Sequence, residues 1–384
     1  MSGFPYERIV FLYGGRACEP VNRSQQLARC FAARVPVLYA PYGSLRQWVN
    51  REWLTPPWKP LVNHERIETL RTPFTVFLGR RYRLPGQING RIVAARIRAR
   101  LRQQQLPLEV VLFFCYTPVG ADVLRHFPEA AVHYDCADDH EHWHGSTPAM
   151  SRLNRENEIY VAQRARTITA SASALERKMR AYNPNVTLVP NGVEYELFAS
   201  PSDHNHGPAE LEGLSRPLLG FIGAAQGYVD VELVTGLAEA NVGTLVFVGP
   251  LARLQQKLQG HRNVRFLGHR DYATLPQYLQ SFDVTIIPAN RAPASLTANP
   301  GKLYQYLASG KPVVATDLPE FLPHSDIVYL ARTTEEFIAQ VREALREPLS
   351  RRAARQSVAA ACSWPRRAEM ILAAIQTHSL RCRA

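Results

Sequence analysis

The chain has 384 residues, of which 46% are hydrophobic, 20% charged and 9% aromatic. This composition is typical of a globular protein long enough for two domains, and it excludes a disordered or fibrous chain. The net charge of +12 favours anionic partners such as phosphates or an anionic membrane surface.

Short apolar runs alternate with helix-length amphipathic segments along the whole chain. We predict strands at 9–13, 35–39, 110–115, 131–134 and 167–170, and again at 218–222, 244–248, 264–267, 284–287 and 312–315. Predicted helices between them include 24–33, 88–104, 151–165, 230–239 and 275–280. Strands separated by such helices form βαβ units with parallel strands. Because the pattern occurs twice, we predict an α/β protein with two doubly wound, Rossmann-like domains.

A segment rich in Pro, Gly and polar residues separates the two predicted domains. We expect domains at 1–198 and 218–364, a linker at 199–217, and a C-terminal helix at 365–384 that packs back on the first domain. The longest apolar run, 110–115, is far shorter than the ~20 residues of a membrane span, and the first residues do not resemble a signal peptide. The six cysteines form no CxxC pair, so we expect a reduced, cytoplasmic protein without a zinc site or disulfide framework.

Glycines follow four of the predicted strands. They are Gly14-Gly15, Gly223, Gly249 and Gly268. Ligands of open α/β sheets bind at the carboxyl ends of strands, where glycine lets the backbone approach them closely. A single glycine can simply end a strand, but four at equivalent places favour a nucleotide site. None belongs to a GxGxxG motif or a P-loop, which disfavours a dehydrogenase or an NTPase.

The segment NPGKLYQYLASGKPVVATDLPE, residues 299–320, carries the strongest site signal. We expect Asn299 to cap, and Pro300 to open, a helix that ends at Gly310. The free amides and positive dipole end of this helix suit a diphosphate. Lys302 in the first turn opposes the dipole unless an anion compensates, and Gln305 shares its face. The alternative is an ordinary amphipathic helix with a solvated lysine.

This segment resembles the donor-site signature of two-domain GT-B glycosyltransferases, in particular family 4 and the teichuronic-acid-type enzymes of group 1. The resemblance extends over VHYDCADDH (132–140), TITASASAL (167–175), VPNGVEYELF (189–198), GFIGAAQGYVDVELV (220–234), LVFVGP (245–250), NVRFLG (263–268) and FDVTIIP (282–288). It implies that the second half binds a UDP- or GDP-sugar, that the first half binds an acceptor hydroxyl across a cleft, and that no cofactor is needed.

The resemblance also implies roles for single residues on the donor side. The implied donor-binding residues are Gly223, Gly249, Gly268, His269, Thr297, Asn299, Pro300, Gly301, Lys302, Leu303 and Gln305. Lys302 would hold phosphate oxygens and act in catalysis. Thr297 and Gln305 stand where many relatives have a Glu-x7-Glu pair, and Thr297 supplies no carboxylate. A non-catalytic sugar-nucleotide-binding relative, or an epimerase of the same fold, is therefore the alternative.

Two further departures from the family pattern shape the expected mechanism. The loop after Gly223 lacks the basic pair that many relatives aim at the diphosphate, which leaves Lys302, with help from Arg291 or Arg253, to neutralise it. No DxD-like motif follows a strand of the second half, so we expect metal-independent transfer. We favour a retaining outcome.

A cluster of acidic residues and histidines follows the predicted strand at 131–134. Carboxylates and imidazoles at strand ends suit acceptor binding or general base catalysis. Asp138 is our first candidate for general base, because the resemblance implies an aspartate there that faces the cleft, and His140 is the second. We also place Asp139 and the segment Gly14, Gly15, Arg16 on the acceptor side. The spacing is not a firm metal-ligand pattern, and we predict no metal site. The simpler alternative is a helix-capping Asp139 with solvated histidines.

Eight arginines and no acidic residue lie between Arg80 and Arg102. They flank an apolar stripe of Val93, Ala94, Ile97 and Leu101, which predicts peripheral attachment to an anionic membrane surface and a lipid-linked or saccharide acceptor at its cytoplasmic face. The alternative is that the stripe packs on the first sheet. Nucleic acid is not an expected partner, because the arginines lack interleaved aromatic residues.

Overall fold

The computed structural model describes residues 4–13, 22–41, 65–70, 82–143, 145–200, 207–224 and 227–381. The chain divides into two compact units. The first unit contains Met1–Pro190 together with Trp364–Ala384, and the second contains Asn191–Ser363.

The first unit is built on a seven-stranded sheet with the order β3-β2-β1-β4-β5-β6-β7, in which all neighbours are parallel. Its elements in chain order are β1 (Arg8–Tyr13), α1 (Arg23–Ala32), β2 (Val37–Pro41), β3 (Ile67–Thr69), α2 (Arg83–Gln103), β4 (Val111–Cys115), α3 (Ala121–Leu124), β5 (Ala131–Cys136), α4 (Pro148–Arg164), β6 (Thr167–Ala170), α5 (Ser173–Arg180) and β7 (Val186–Leu188).

Apolar layers cover both faces of this sheet. Along β4 the side chains alternate, so that Phe113 packs in one layer with Val93 and Ile97 of α2. Phe114 packs in the opposite layer with Phe31 of α1. A strand that is buried on both sides reads as a continuous apolar run, which is why β4 was predictable from the sequence.

The second unit has a six-stranded parallel sheet with the order β10-β9-β8-β11-β12-β13. Its elements are α6 (Tyr195–Ala199), β8 (Leu218–Ile222), α7 (Val231–Glu239), β9 (Thr244–Val248), α8 (Ala252–Lys257), β10 (Val264–Gly268), α9 (Leu275–Ser281), β11 (Val284–Ile287), α10 (Pro293–Leu296), α11 (Gly301–Ser309), β12 (Val313–Thr316), β13 (Tyr329–Ala331), α12 (Thr334–Ala344) and α13 (Ser350–Ala361). The predicted fold class of two doubly wound α/β domains is confirmed.

The boundary between the units differs from the predicted linker at 199–217. The chain leaves the first unit after Pro190. Phe198 and Leu211 are both buried in the apolar core of the second unit, so the segment around them belongs to that unit. The last helix, α14 (Trp364–Arg381), belongs to the first unit, where Ile371 packs in the same layer as Phe31.

Candidate functional site

The strand order of the second sheet reverses between β8 and β11. The chain proceeds from β8 to β9 and β10 on one side, and from β11 to β12 and β13 on the other. In open parallel sheets, ligands bind beyond the carboxyl ends of the strands at such a reversal. Gly223 directly follows β8, and α10 and α11 follow β11, so the topology places the predicted donor residues at this point.

Three of the predicted glycine turns hold the ends of β8, β9 and β10 together. The Gly223 amide donates a 2.9 Å hydrogen bond to the Val248 carbonyl, and the Gly249 amide donates one of 2.8 Å to the Gly268 carbonyl. Gly249 has φ +136°, and a Cβ there would lie 2.3 Å from the Gly223 carbonyl oxygen. Only glycine fits this position. Gly14, Gly15 and Arg16, predicted for the acceptor side, lie outside the described residues.

The helix α11 begins with uncapped backbone amides. Pro300 occupies the N-cap position, and no side chain caps the helix. The Leu303 amide donates to the Pro300 carbonyl, whereas no group in the described part of the chain accepts a hydrogen bond from the amides of Gly301 or Lys302. A Cβ added to Gly301 would meet no atom within 4 Å. Open amides at a helix start form a ready site for an anion.

Lys302, in the first turn of α11, places its ammonium group at the end of β8 without an acidic partner among the described residues. Its Nζ lies 4.0 Å from the centre of the Phe221 ring and 5.2 Å from that of Tyr228. A Cβ added to Gly223 would lie 3.2 Å from the Lys302 Nζ. No carboxylate in the described ranges forms an ion pair with it, and burial lowers its pKa to about 7. A half-buried cation held over two rings, on a helix whose first amides are free, suits the binding of a phosphate.

Asn299 has a different role from the predicted one. The prediction that it caps α11 is wrong, because its side chain points elsewhere and is buried. Its Nδ2 donates to the Tyr304 hydroxyl at 3.2 Å and to Glu320 at 3.1 Å, and its Oδ1 accepts from the Asn191 amide at 2.9 Å. Asn299 therefore fixes the loop that precedes the helix.

Three further predicted donor residues, Thr297, Gln305 and His269, are at least partly exposed. The Thr297 hydroxyl donates to the carbonyls of Pro293 and Ala294, so it closes its own turn. Gln305 is partly exposed on α11, and His269 is exposed directly after β10. Leu303 is buried in the core, which leaves only its backbone to face a ligand. Arg253 and Arg291 are exposed.

Two tyrosines at this edge were missed by the sequence reasoning. The Tyr306 hydroxyl accepts from the Ile222 amide at 2.7 Å and donates to the Ile222 carbonyl at 3.3 Å, which ties α11 to the end of β8. The Tyr228 hydroxyl is buried without a hydrogen-bond partner among the described residues, and burial raises its pKa. The only sequence signal for Tyr228 was its place in the loop that follows Gly223.

In the first unit, Asp138 follows β5 and is half-buried. Burial raises its pKa to about 6; Arg23 opposes this rise, and Asp135 and Asp139 add to it. A carboxylate with this pKa is poised to accept a proton near neutral pH. His140 follows closely, and its ring stacks on that of Trp143 with centres 5.6 Å apart.

A buried ion pair lies beneath Asp138 and was not predicted. Arg23 donates from Nε and Nη2 to the two oxygens of Asp135, both at 2.8 Å. Its Nη1 donates to the Pro190 carbonyl at 3.1 Å, and the Thr169 hydroxyl donates to Asp135 at 2.7 Å. Both charged side chains are almost fully buried. The pair therefore connects α1, β5 and β6 with Pro190, where the chain leaves the first unit.

Asp139 neither caps a helix nor faces solvent. Thr147 caps α4 instead, by accepting from the Met150 amide. Asp139 accepts from Lys178 Nζ at 2.9 Å and contacts His142 Nδ1 at 2.8 Å. Burial favours its neutral form, but Lys178 and His142 outweigh this and lower the pKa. Ligand atoms of Asp139, Glu141 and His142 lie within 4.8 Å of one another, but a metal ion would have to displace the Lys178 ammonium, 3.6 Å from Glu141.

The apolar stripe of the arginine-rich helix faces inward. Val93, Ala94, Ile97 and Leu101 are all buried in the core of the first unit, as the alternative interpretation expected. The opposite face of α2 carries Leu84 and Ile88, which are 67% and 41% exposed, together with exposed arginines. Arg80 and Arg81 lie outside the described residues. Within the described ranges, no helix has the length and apolarity needed to cross a bilayer.

Part of the second unit is similar to a known protein family. Residues 219–347 match the family described as glycosyl transferases group 1. A putative teichuronic acid biosynthesis glycosyltransferase, TuaH, of Bacillus subtilis (strain 168) is 34% identical over 207 residues, which are 49% of this chain and 51% of TuaH. The aligned region thus spans about half the length of that relative.

Solved structures share the fold over nearly the whole chain. Anabaena Alr3699/HepE in complex with UDP-glucose superposes with a TM-score of 0.67 at 16% identity, covering 98% of this chain and 99% of that one. Sucrose-phosphate synthase from Thermosynechococcus elongatus gives a TM-score of 0.66 at 14% identity, covering 98% and 97%. These likenesses show the GT-B fold.

Proposed function

Because this GT-B chain carries a group 1 glycosyltransferase domain at residues 219–347, we propose that it transfers a sugar from a nucleotide-diphosphate sugar, UDP- or GDP-linked, to an acceptor hydroxyl. The observation that carries the proposal is the pair of free amides at the start of α11 beside the unpaired ammonium of Lys302. The ammonium lies next to Gly223 at the end of β8, where the topology predicts a nucleotide site. The Anabaena neighbour, solved with UDP-glucose, supports this class of donor.

The proposed chemistry relies on stabilising the leaving diphosphate. Negative charge grows on the diphosphate as the glycosidic bond breaks, and fixed amides with a nearby cation stabilise it without reorganisation. In the free chain, burial disfavours the charged form of Lys302. A bound diphosphate would stabilise this charged form. We propose that Lys302 and the Gly301 and Lys302 amides neutralise the leaving group without a metal ion. Following the resemblance, we propose a retaining outcome.

Donor binding is expected to weaken as the pH rises. The pKa of Lys302 is lowered to about 7 in the free chain, and an adjacent diphosphate raises it, so binding above this pH requires uptake of a proton. The dissociation constant of UDP should therefore rise by up to roughly tenfold per pH unit between pH 7 and 9. Isothermal titration calorimetry at several pH values measures this. The Lys302→Arg variant, which stays protonated, should show a nearly flat profile; a flat wild-type profile contradicts the assignment.

A screen of donors identifies the nucleotide and tests transfer directly. UDP-, GDP- and ADP-sugars are compared by thermal shift, because a ligand that binds only the folded chain stabilises it. The stabilising donor is then incubated with candidate acceptors and followed by NMR. Transfer to an acceptor supports the proposal. Conversion of the donor alone indicates an epimerase. Binding without turnover indicates a non-catalytic relative. This is the second candidate function, because Thr297 supplies no carboxylate.

We propose that Asp138 acts as general base toward the acceptor, with His140 as the second candidate. Its pKa of about 6 suits proton transfer near neutrality. Asp138→Asn is expected to lower the transfer rate by about 10²–10⁴-fold and to leave the affinity for UDP unchanged. Steady-state kinetics and UDP titration measure the two quantities. Unchanged transfer by Asp138→Asn removes Asp138 from this role.

We propose that α2 attaches the protein to an anionic membrane at the inner face of the cell membrane, where it meets a lipid-linked acceptor. Leu84, Ile88 and Arg91 are exposed and spaced to share one helix face. Apolar side chains next to arginines suit a bilayer surface of negative charge. In flotation with vesicles containing phosphatidylglycerol at low salt, the wild type should bind, and a Leu84→Ser, Ile88→Ser variant should bind several-fold less. Equal binding of both contradicts this surface.

A further inference from the structure

A cavity lies where the strands of the second unit's sheet begin, at the ends opposite to the candidate donor site. It has a volume of about 510 Å³, and we call it the amino-edge pocket. Pro217, Asp283 and Pro312 line it, and each directly precedes one of the strands β8, β11 and β12. The predicted donor residues follow the other ends of β8 and β11. Since strands of four or five residues span roughly 13–17 Å, the two sites are separate.

Three cationic side chains line the amino-edge pocket: Arg216, Lys311 and Arg352. Arg216 pairs with Asp283 at 3.0 Å, and Asp283 also accepts from the Leu218 amide at 2.7 Å. Neither Lys311 nor Arg352 forms an ion pair with a carboxylate in the described ranges. Asp283, one of the two acids that line the pocket, is therefore already engaged.

The second acid of the pocket is engaged as well. Glu347 binds the buried guanidinium of Arg355, and it accepts from the Tyr329 hydroxyl at 3.1 Å. Burial lowers the pKa of the half-buried Lys311, and the positive charges of Arg352 and Arg216 lower it further, against the effect of Asp283. The three cations are thus close enough to repel one another, and positive charge is in excess.

Arg352 is positioned by packing against Gly310 rather than by an ion pair with an acid. Gly310 ends α11 with φ +74°, and a Cβ there would lie 2.5 Å from Cγ of Arg352. The stem of Arg352 therefore packs directly on the bare backbone of the glycine, next to Lys311. Two neighbouring cations that form no ion pair, next to carboxylates already bound by other groups, are complementary to a multivalent anion.

We propose that the amino-edge pocket binds a phosphate group, carried by a small organic molecule or by a lipid. Arg216, Lys311 and Arg352 supply the donors for its oxygens. Leu345 and Leu349 also line the pocket, and Leu349 is 89% exposed, which offers apolar surface to the rest of the ligand. This site is additional to the donor site and does not depend on sugar transfer.

Calorimetric titration with pyrophosphate at low salt tests the pocket. The chain is first saturated with UDP so that the donor site is occupied. The wild type should bind pyrophosphate, and the Lys311→Met, Arg352→Gln variant should bind it at least tenfold more weakly. The matched control is Lys257→Met, Arg262→Gln, which removes the same charge from exposed positions of the second unit and should bind as the wild type does. Thermal unfolding establishes that both variants fold.

A second titration distinguishes the two sources of phosphate. Dihexanoyl phosphatidic acid, a soluble short-chain lipid, replaces pyrophosphate in the same three proteins. Tighter binding of this lipid than of pyrophosphate, lost in the pocket variant, assigns a lipid phosphate; the reverse order assigns a free phosphate ester. The proposal is overturned if neither probe binds, or if the pocket variant binds both as tightly as the control. The comparison of the two variants holds even if UDP fails to bind.

Discussion

Replacement of Lys302 by Met is expected to lower the rate of sugar transfer by about 10²–10³-fold while the chain stays folded. The substitution removes the cation that we propose neutralises the leaving diphosphate. Met keeps an unbranched chain of similar length for the contacts with Phe221 and Tyr228. Because burial disfavours the charged form of Lys302 in the free chain, its removal should not lower the unfolding temperature.

The control for this experiment is Lys257→Met, which removes an exposed lysine from α8 of the same unit. It should retain full activity in the same direct product assay. Near-normal turnover by Lys302→Met would refute the role of Lys302. A parallel loss in the control would attribute the effect to net charge instead.

Replacement of Arg23 by Met is expected to destabilise the first unit by about 3–5 kcal/mol, the largest stability effect that we predict. The change leaves the buried carboxylate of Asp135 without its bidentate partner and removes the hydrogen bond to the Pro190 carbonyl. An unpaired buried charge is far more costly than the loss of a surface ion pair. Chemical denaturation, followed by a probe in the first unit, measures the change.

Two further variants complete the test of the buried pair. Arg34→Met breaks an exposed pair with Glu369 and should change the unfolding free energy by no more than about 1 kcal/mol. Arg23→Met combined with Asp135→Leu removes both charges and should recover much of the loss. If Arg23→Met is no more destabilising than Arg34→Met, the pair does not stabilise the fold.

The parts of the fold that the sequence predicted are those with strong local signals. The buried strands β4, β8 and β9 are continuous apolar runs, and α11 is bounded by Pro300 and Gly310. The missed strands β3, β7 and β13 have three residues each and are only partly buried, so they carry almost no pattern. The domain boundary was placed too late because Phe198 and Leu211 are isolated apolar residues in polar surroundings.

The positions of the candidate donor residues could be predicted where they follow from the order of strands and helices. Gly223, Gly249 and Lys302 follow or precede predictable elements, so their places were inferred from topology. Asn299 was misassigned because its partners, Asn191 and Glu320, are distant in sequence. The Arg23–Asp135 pair was not inferred for the same reason, since 112 positions separate its members. Long-range polar contacts leave no periodic trace in a single sequence.

The location of a bound diphosphate tests the central claim most directly. A crystal structure of the chain with UDP should show the β-phosphate within hydrogen-bond distance of the Gly301 and Lys302 amides and of Lys302 Nζ, next to Gly223. A diphosphate bound elsewhere, with the start of α11 covered by other side chains, would contradict the account.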